Sequence, residues 1–254
     1  MISIKSEREL KIMRQACVIA AKVLNELCQM ARIGISTWEI DRAAKDIMEK
    51  YSCRSASYKY KCGSLKYPGY ICVSVNDEII HGIGTPERVL KSGDIVSMDV
   101  CVVYQGFVGD NTRTVVIGEA SPEVSRLVKT TEESMYVGIA QALAGNRVGD
   151  ISAAIQKYVE DAGYSVIREF TGHGVGRHLH EEPEVPNYGK AGTGALLRPG
   201  MTIAIEPMVA MGKPDIKIGS DGWTVYTLDG KPSSHSEHTV LITDGEPEIL
   251  TVCE

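Results

Sequence analysis

No stretch of the chain approaches the run of about eighteen apolar residues that spans a bilayer. The amino-terminal segment MISIKSERELKIMRQ is charged almost at once instead of opening on an apolar signal core, so neither membrane insertion nor secretion is expected. Long basic runs are missing too: 27 Lys plus Arg face 33 Asp plus Glu, a formal charge of -6, which argues against direct nucleic-acid binding. The C-x-x-C pattern is absent. The seven cysteines, Cys17, Cys28, Cys53, Cys62, Cys72, Cys101 and Cys253, are odd in number and scattered, so they read neither as a disulfide framework nor as a thiolate zinc site. Reduced, mostly buried thiols in a cytoplasmic protein are the expectation. What is present is the composition of an ordinary soluble globular protein, 43% apolar and 24% charged. At 254 residues the chain sits at the upper edge of what one core organises, as one large domain or two fused halves.

Ser6-x-x-Glu9 is a capping box, and the stripe Leu10, Met13, Cys17, Ala20, Ala21, Leu24, Leu27 and Cys28 behind it predicts one amphipathic helix over about residues 6–31. A turn at Ile33-Gly34-Ile35 ends it. The second box, Ser36-x-x-Glu39, with Ile40, Ala43, Ala44, Ile47 and Met48, predicts another helix to about Tyr51. Short patterns then recur in order. Arg32-Ile33-Gly34 returns as Arg147-Val148-Gly149, each with an isoleucine six residues after the glycine, and His81-Gly82-Ile83-Gly84 returns as His173-Gly174-Val175-Gly176. Leu90-Lys91-x-Gly93, with Asp99 six residues after its glycine, returns as Leu197-Arg198-x-Gly200 with Glu206 six after, and Asp110-Asn111-Thr112 returns as Glu237-His238-Thr239. The expected organisation is a single catalytic domain, residues 1–254, built from two pseudo-symmetric halves, because either half alone would leave its apolar face uncovered.

The acidic residues lie on segments that alternate like strands. Val96, Met98 and Val100 face one way, Ser97, Asp99 and Cys101 the other, while Ile203 and Ile205 oppose Thr202, Ala204 and Glu206. Helices on the apolar side complete an α+β architecture. A two-residue loop at Tyr104-Gln105 sets Asp99 and Asp110 directly opposite; one at Gln105-Gly106 sets them diagonally, and either puts both on one face. By the repeat, Glu206 and Glu237 approach the same point, and anions so placed repel unless cations sit between them. His173, between Gly172 and Gly174, offers a nitrogen ligand. Four carboxylates and one imidazole suit manganese, iron or cobalt, with zinc left open, and a metal pair points to hydrolysis.

These residues carry a family resemblance. From about residue 5 to the C-terminus the chain resembles the type I methionine aminopeptidases, through NDEIIHGIG (76–84), DIVSMDV (94–100), GDNT (109–112), TGHGVGRHLHEEP (171–183), MTIAIEP (201–207) and SEHT (236–239). The resemblance implies the pita-bread fold, a curved antiparallel sheet with helices on its outer face. It assigns Asp99, Asp110, His173, Glu206 and Glu237 as ligands of two divalent ions, with Glu206 also handling the proton of the attacking water. His81 and His180 would contact the scissile amide and stabilise the tetrahedral intermediate. Tyr67, Cys72, Leu179 and Trp223 fall at positions of the methionine pocket; Leu179 stands where many relatives carry Phe, and Ser64 where some carry Tyr. His178 has no matching role and is read as a surface or structural histidine. The implied activity is removal of N-terminal methionine when the second residue is small. Its partners would be peptide and nascent-chain N-termini, with no nucleic acid, no membrane and no second copy of the chain. The nearest rival is a peptidase of the same fold acting on Xaa-Pro bonds, and a non-catalytic module would be marked by lost ligands, none of which is lost here.

Overall fold

Both capping boxes start the helices they announce. In the computed structural model, which describes residues 2–253, Ser6 caps α1 (Glu7–Met30) and Ser36 caps α2 (Thr37–Lys50). Each box is closed by its glutamate, which accepts the cap residue's backbone N–H, Glu9 at 3.0 Å and Glu39 at 2.8 Å. Met1 and Glu254, the ends of the expected domain, lie outside the described residues. Five short strands follow α2: β1 (Arg54–Ser55), β2 (Lys61–Cys62), β3 (Leu65–Lys66), β4 (Cys72–Val75) and β5 (Glu78–Ile80). The long hairpin β6 (Ile95–Tyr104) and β7 (Phe107–Val116) leads to helices α3 (Pro122–Ile139) and α4 (Val148–Asp161). The remainder is β8 (Ser165–Val166), β9 (Gly172–Gly174), β10 (Glu181–Val185), β11 (Thr202–Ile205), β12 (Met208–Ala210), β13 (Ile216–Ile218), β14 (Val225–Thr227), β15 (Ser233–His235), β16 (Glu237–Leu241) and β17 (Glu248–Ile249). No described helix is long and apolar enough to cross a membrane.

The main sheet has nine strands, hydrogen-bonded in the order β1-β6-β7-β16-β11-β9-β10, with β17 on β16 and β4 on β6. Every pairing among the described residues is antiparallel. Period-two alternation decides which face carries what. Val96, Met98, Val100 and Val102 of β6 pack against Val23, Leu24 and Leu27 of α1 and Ile40 and Ala44 of α2. Ile203 and Ile205 of β11 pack against Leu127 and Met135 of α3 and Ile151 and Ile155 of α4. Each such side chain contributes about 1.5–3 kcal/mol by leaving water. A one-residue slip of β6 would turn four of them out and Ser97 and Asp99 in, so the helix-covered face pins the register of the opposite one.

The hydrogen bonds show which of the repeated patterns occupy equivalent places. Gly34 donates its N–H to the Leu90 carbonyl at 2.9 Å and Gly145 to that of Leu197 at 3.1 Å. Gly93 donates to Ile117 at 2.8 Å and Gly200 to Ile242 at 2.9 Å, so the Leu-x-x-Gly segments match. Asp110-Asn111-Thr112 and Glu237-His238-Thr239 lie side by side, Asn111 paired with His238. The other two matches need correction. Gly34 corresponds to Gly145, not Gly149: Gly34 and Gly145 both turn the chain at positive φ, +89° and +93°, before the caps Ser36 and Arg147. Gly149 lies inside α4, where a Cβ would strike the Lys190 carbonyl; two physical needs for glycine look alike in sequence. His173 corresponds to Ser74 instead of His81. β9 pairs Gly174 with Ile203 as β4 pairs Val75 with Val96, whereas His81 comes after the next strand, β5.

Candidate metal centre

The hairpin turn settles how the first two carboxylates meet. Tyr104 pairs with Phe107, so the loop is Gln105-Gly106, and both residues have positive φ, 47° and 82°, as a two-residue turn matching the strand twist requires. Asp99 therefore faces Thr112 while Asp110 faces Cys101, the diagonal arrangement, with both carboxylates on the face away from the helices. Glu237 joins from the neighbouring β16, where its Oε2 accepts a hydrogen bond from Thr112 Oγ1 at 2.8 Å. Glu206 follows directly on β11.

His173 is brought in by its flanking glycines. A Cβ at Gly172 would run into the Ala204 carbonyl and one at Gly174 into that of Glu182, so only glycines let β9 lie close enough to its neighbours. His173 Nδ1 is 2.9 Å from the Gly174 carbonyl, and since a carbonyl only accepts, Nδ1 carries the proton and Nε2 presents its lone pair. That Nε2 is 3.3 Å from Glu206 Oε1 and 3.8 Å from Asp110 Oδ2.

Burial, and then the neighbouring carboxylates, push Asp110, Glu206 and Glu237 well above the usual carboxylate range. Burial, and then His180, hold His173 down to about 3, so it is neutral, the form that binds cations. Asp110 Oδ1 and Glu237 Oε1 are buried without any hydrogen-bond partner. Donor atoms of Asp110, His173 and Glu237 lie within 4.8 Å of one another, as do those of Asp99, Cys101 and Asp110. Clustered anions, orphaned oxygens and a free imidazole lone pair fit divalent cations, which satisfy all three at once.

All the remaining sequence-predicted site residues line the same cavity, of about 370 Å³. His81 adopts φ 57°, uncommon outside glycine, and packs its ring edge-on to Phe170 at 5.8 Å; burial, with His235 and His180 nearby, lowers it to about 4. His180 stands edge-on to His173 at 4.5 Å, its Nδ1 is 2.8 Å from the Tyr60 hydroxyl, and burial lowers its pKa. Tyr67 donates its hydroxyl to the Gly82 carbonyl at 2.7 Å and meets Trp223 edge-on at 5.3 Å. Cys72 pairs across strands with Asp99, and Leu179 is half-buried at the cavity wall.

His235, Tyr60 and Phe170 are among the lining residues that the sequence pattern does not single out as site residues. His235, buried on β15, places Nε2 3.4 Å from Glu206 Oε2; its position two residues before Glu237 in an alternating strand pattern was a usable signal. Tyr60 and Phe170 reach the cavity from loops that carry no such period. Ser64 lies exposed in the β2–β3 turn, and the tyrosine that meets His180 is Tyr60. His178 is exposed and lines a neighbouring depression with Lys5 and Glu9.

Residues 11–244 match the model of metallopeptidase family M24. A methionine aminopeptidase from Clostridium acetobutylicum is 48% identical over 254 residues, the whole of both chains. The crystal structure of a methionine aminopeptidase from Thermotoga maritima superposes with a TM-score of 0.94 at 43% identity, covering 99% of each chain. The prolidase of Pyrococcus horikoshii shares the fold, with a TM-score of 0.78 at 24% identity, over 99% of this chain and 64% of its own.

Proposed function

The chain belongs to metallopeptidase family M24, and on that premise we propose that it is a methionine aminopeptidase, a metal-dependent hydrolase that removes the N-terminal methionine of peptides and nascent proteins when the second residue is small. The observation that carries this reading is one cavity with two characters: Asp99, Asp110, His173, Glu206 and Glu237 converge at it, and Tyr67, Cys72, Phe170, Leu179, Ile218 and Trp223 give it apolar walls. The five donors would hold two divalent ions, because four carboxylates gathered at one buried site carry more negative charge than a single divalent ion offsets. When bound, the metals polarise the scissile carbonyl and make water a nucleophile at neutral pH.

The chain's own residues supply the rest. Glu206, beside His173 and His235, accepts the proton of the attacking water and can return it to the leaving amine. His180 Nδ1 lies 2.8 Å from the Tyr60 hydroxyl; the tautomer in which Nδ1 accepts from that hydroxyl carries its proton on Nε2, where a neutral imidazole can donate to the amide oxygen as negative charge develops. His81, half-buried and neutral, stands at the same cavity for the scissile amide. The thioether of methionine gains contact with aromatic and sulfur-bearing walls that offer no anion to a longer cationic chain. Seven free cysteines support a cytoplasmic setting.

Cleavage of Met-Ala-Ser compared with an Ala-Pro peptide by metal-loaded protein tests the reading. Release of methionine with the Ala-Pro bond untouched is expected; the reverse preference overturns it in favour of an Xaa-Pro peptidase.

A further inference from the structure

We infer that Cys101 is a further donor of the metal centre, a sulfur that gives its Asp99–Asp110 end an affinity for thiophilic divalent cations that the oxygen and nitrogen donors alone do not provide. The inference rests on the metal-centre reading above and concerns a residue that reading does not use.

Cys101 stands directly across from Asp110 on β7 and two positions beyond Asp99 on its own strand, so all three side chains share the cavity face. Its Sγ lies 3.3 Å from Asp99 Oδ1, and the donor atoms of Asp99, Cys101 and Asp110 fall within 4.8 Å of one another. A second feature lies on the residue directly opposite Cys101. Asp110, only 3% exposed, keeps Oδ1 without any hydrogen-bond partner. Buried cysteines commonly serve as small apolar fillers, and Cys17 shows that case, packed with Leu10, Met13 and Phe107. Cys101 is as buried, at 4% exposure, yet belongs to none of the apolar clusters of the described residues and lines the cavity instead.

Thiolate sulfur is a soft donor. It adds little for manganese but much for cadmium, zinc or cobalt. As the cation binds, the S–H bond breaks, its proton leaves to solvent, and a sulfur–metal bond forms; nothing is oxidised or reduced. The same five oxygen and nitrogen donors with and without this sulfur would therefore rank metals differently.

The test uses the full chain in a Cys62→Ser background, which removes the exposed thiol at the cavity mouth. Metal-free protein is titrated with cadmium and, separately, with manganese. Cadmium should produce a thiolate-to-metal charge-transfer band in the near ultraviolet. Cys72→Ser should keep that band. Cys101→Ser, and Cys101→Thr as a second variant, should lose it and bind cadmium about tenfold more weakly with manganese affinity nearly unchanged. A band that survives in both Cys101 variants, vanishes in Cys72→Ser, or never appears although cadmium binds overturns this inference alone. Failure of both cations to bind the parent protein overturns the metal-centre reading with it.

Discussion

Glu206 and His235 meet in the buried floor of the cavity, Oε2 to Nε2 at 3.4 Å, while the other carboxylate oxygen faces His173 at 3.3 Å. Each carboxylate oxygen thus faces one imidazole nitrogen without a hydrogen bond, His173 Nε2 presenting its lone pair and His235 Nε2 lacking any hydrogen-bond partner, which leaves Glu206 open to a cation and to a proton. Glu206→Gln keeps an oxygen in place but loses the charge and the capacity to accept a proton. Turnover of Met-Ala-Ser should fall by about a hundredfold or more with the fold and bound metal retained. Near-normal turnover in the metal-loaded variant would remove Glu206 from proton transfer.

His180 and Tyr60 form the second test. His180→Ala should lower turnover by roughly two orders of magnitude with metal content unchanged, since a donor to developing charge is lost. Tyr60→Phe should produce a smaller loss of the same kind, because Nδ1 loses its hydrogen-bond partner at 2.8 Å. If either substitution changes only metal affinity, the pair supports ligands instead of the amide oxygen.

Metal removal should act on both activity and stability. Without cations, Asp110, Glu206 and Glu237 crowd one buried site, so exhaustive chelation should abolish turnover and added divalent metal should restore it. Metal at a hundred times its dissociation constant should also stabilise the fold by about 2.7 kcal/mol, read as a rise in Tm. Full activity in protein shown by metal analysis to be empty would sink the assignment.

The loop carrying His180 is anchored by an ion pair between the buried Lys5 and the half-buried Glu181. Lys5 Nζ lies 3.0 Å from Glu181 Oε2, and Glu181 Oε1 accepts the backbone N–H groups of Arg177 at 2.8 Å and His178 at 3.1 Å. Burial pushes Glu181 up, but the His178 N–H and the Lys5 ammonium more than offset it, and its pKa ends below the usual value of 4.5. A lowered carboxylate binds fewer protons folded than unfolded, so its stabilisation is present above the unfolded value and lost as pH falls through the folded one. Lys5→Met should therefore cost on the order of 1 kcal/mol at neutral pH, since solvent screens the half-buried Glu181, and progressively less below the ordinary carboxylate range. Turnover should fall alongside as His180 loses its placement. Denaturant midpoints at several pH values read the first effect; a penalty constant with pH would refute the ion-pair origin.

Substrate choice follows from the walls. Tyr67, Cys72, Leu179 and Trp223 offer no anion to an ammonium group, so Lys-Ala-Ser should be cleaved at least about a hundredfold more slowly than Met-Ala-Ser. Met-Leu-Ser should also lag, because its second residue must fit beside the metals. Comparable cleavage of the lysine peptide would overturn the pocket assignment, and rapid cleavage of the leucine peptide the small-second-residue rule.

The sequence by itself determined the local features: two helix starts, because a capping box is satisfied within four residues, and the faces of β6 and β11, because period two is a property of the strand alone. It also pointed to the five residues proposed as donors, whose spacing within motifs survives without coordinates. Tertiary structure decided what depends on neighbours. Gln105-Gly106 rather than Tyr104-Gln105 forms the turn, so Asp110 faces Cys101 and not Asp99, which makes the sulfur a neighbour of both carboxylates. Sheet order, with β9 against β11 and β5 beyond β4, separates His81 from its look-alike His173. His235 and Tyr60 touch Glu206 and His180 across elements far apart in the chain, and no periodicity within either element encodes a contact that arises only when the two elements pack together.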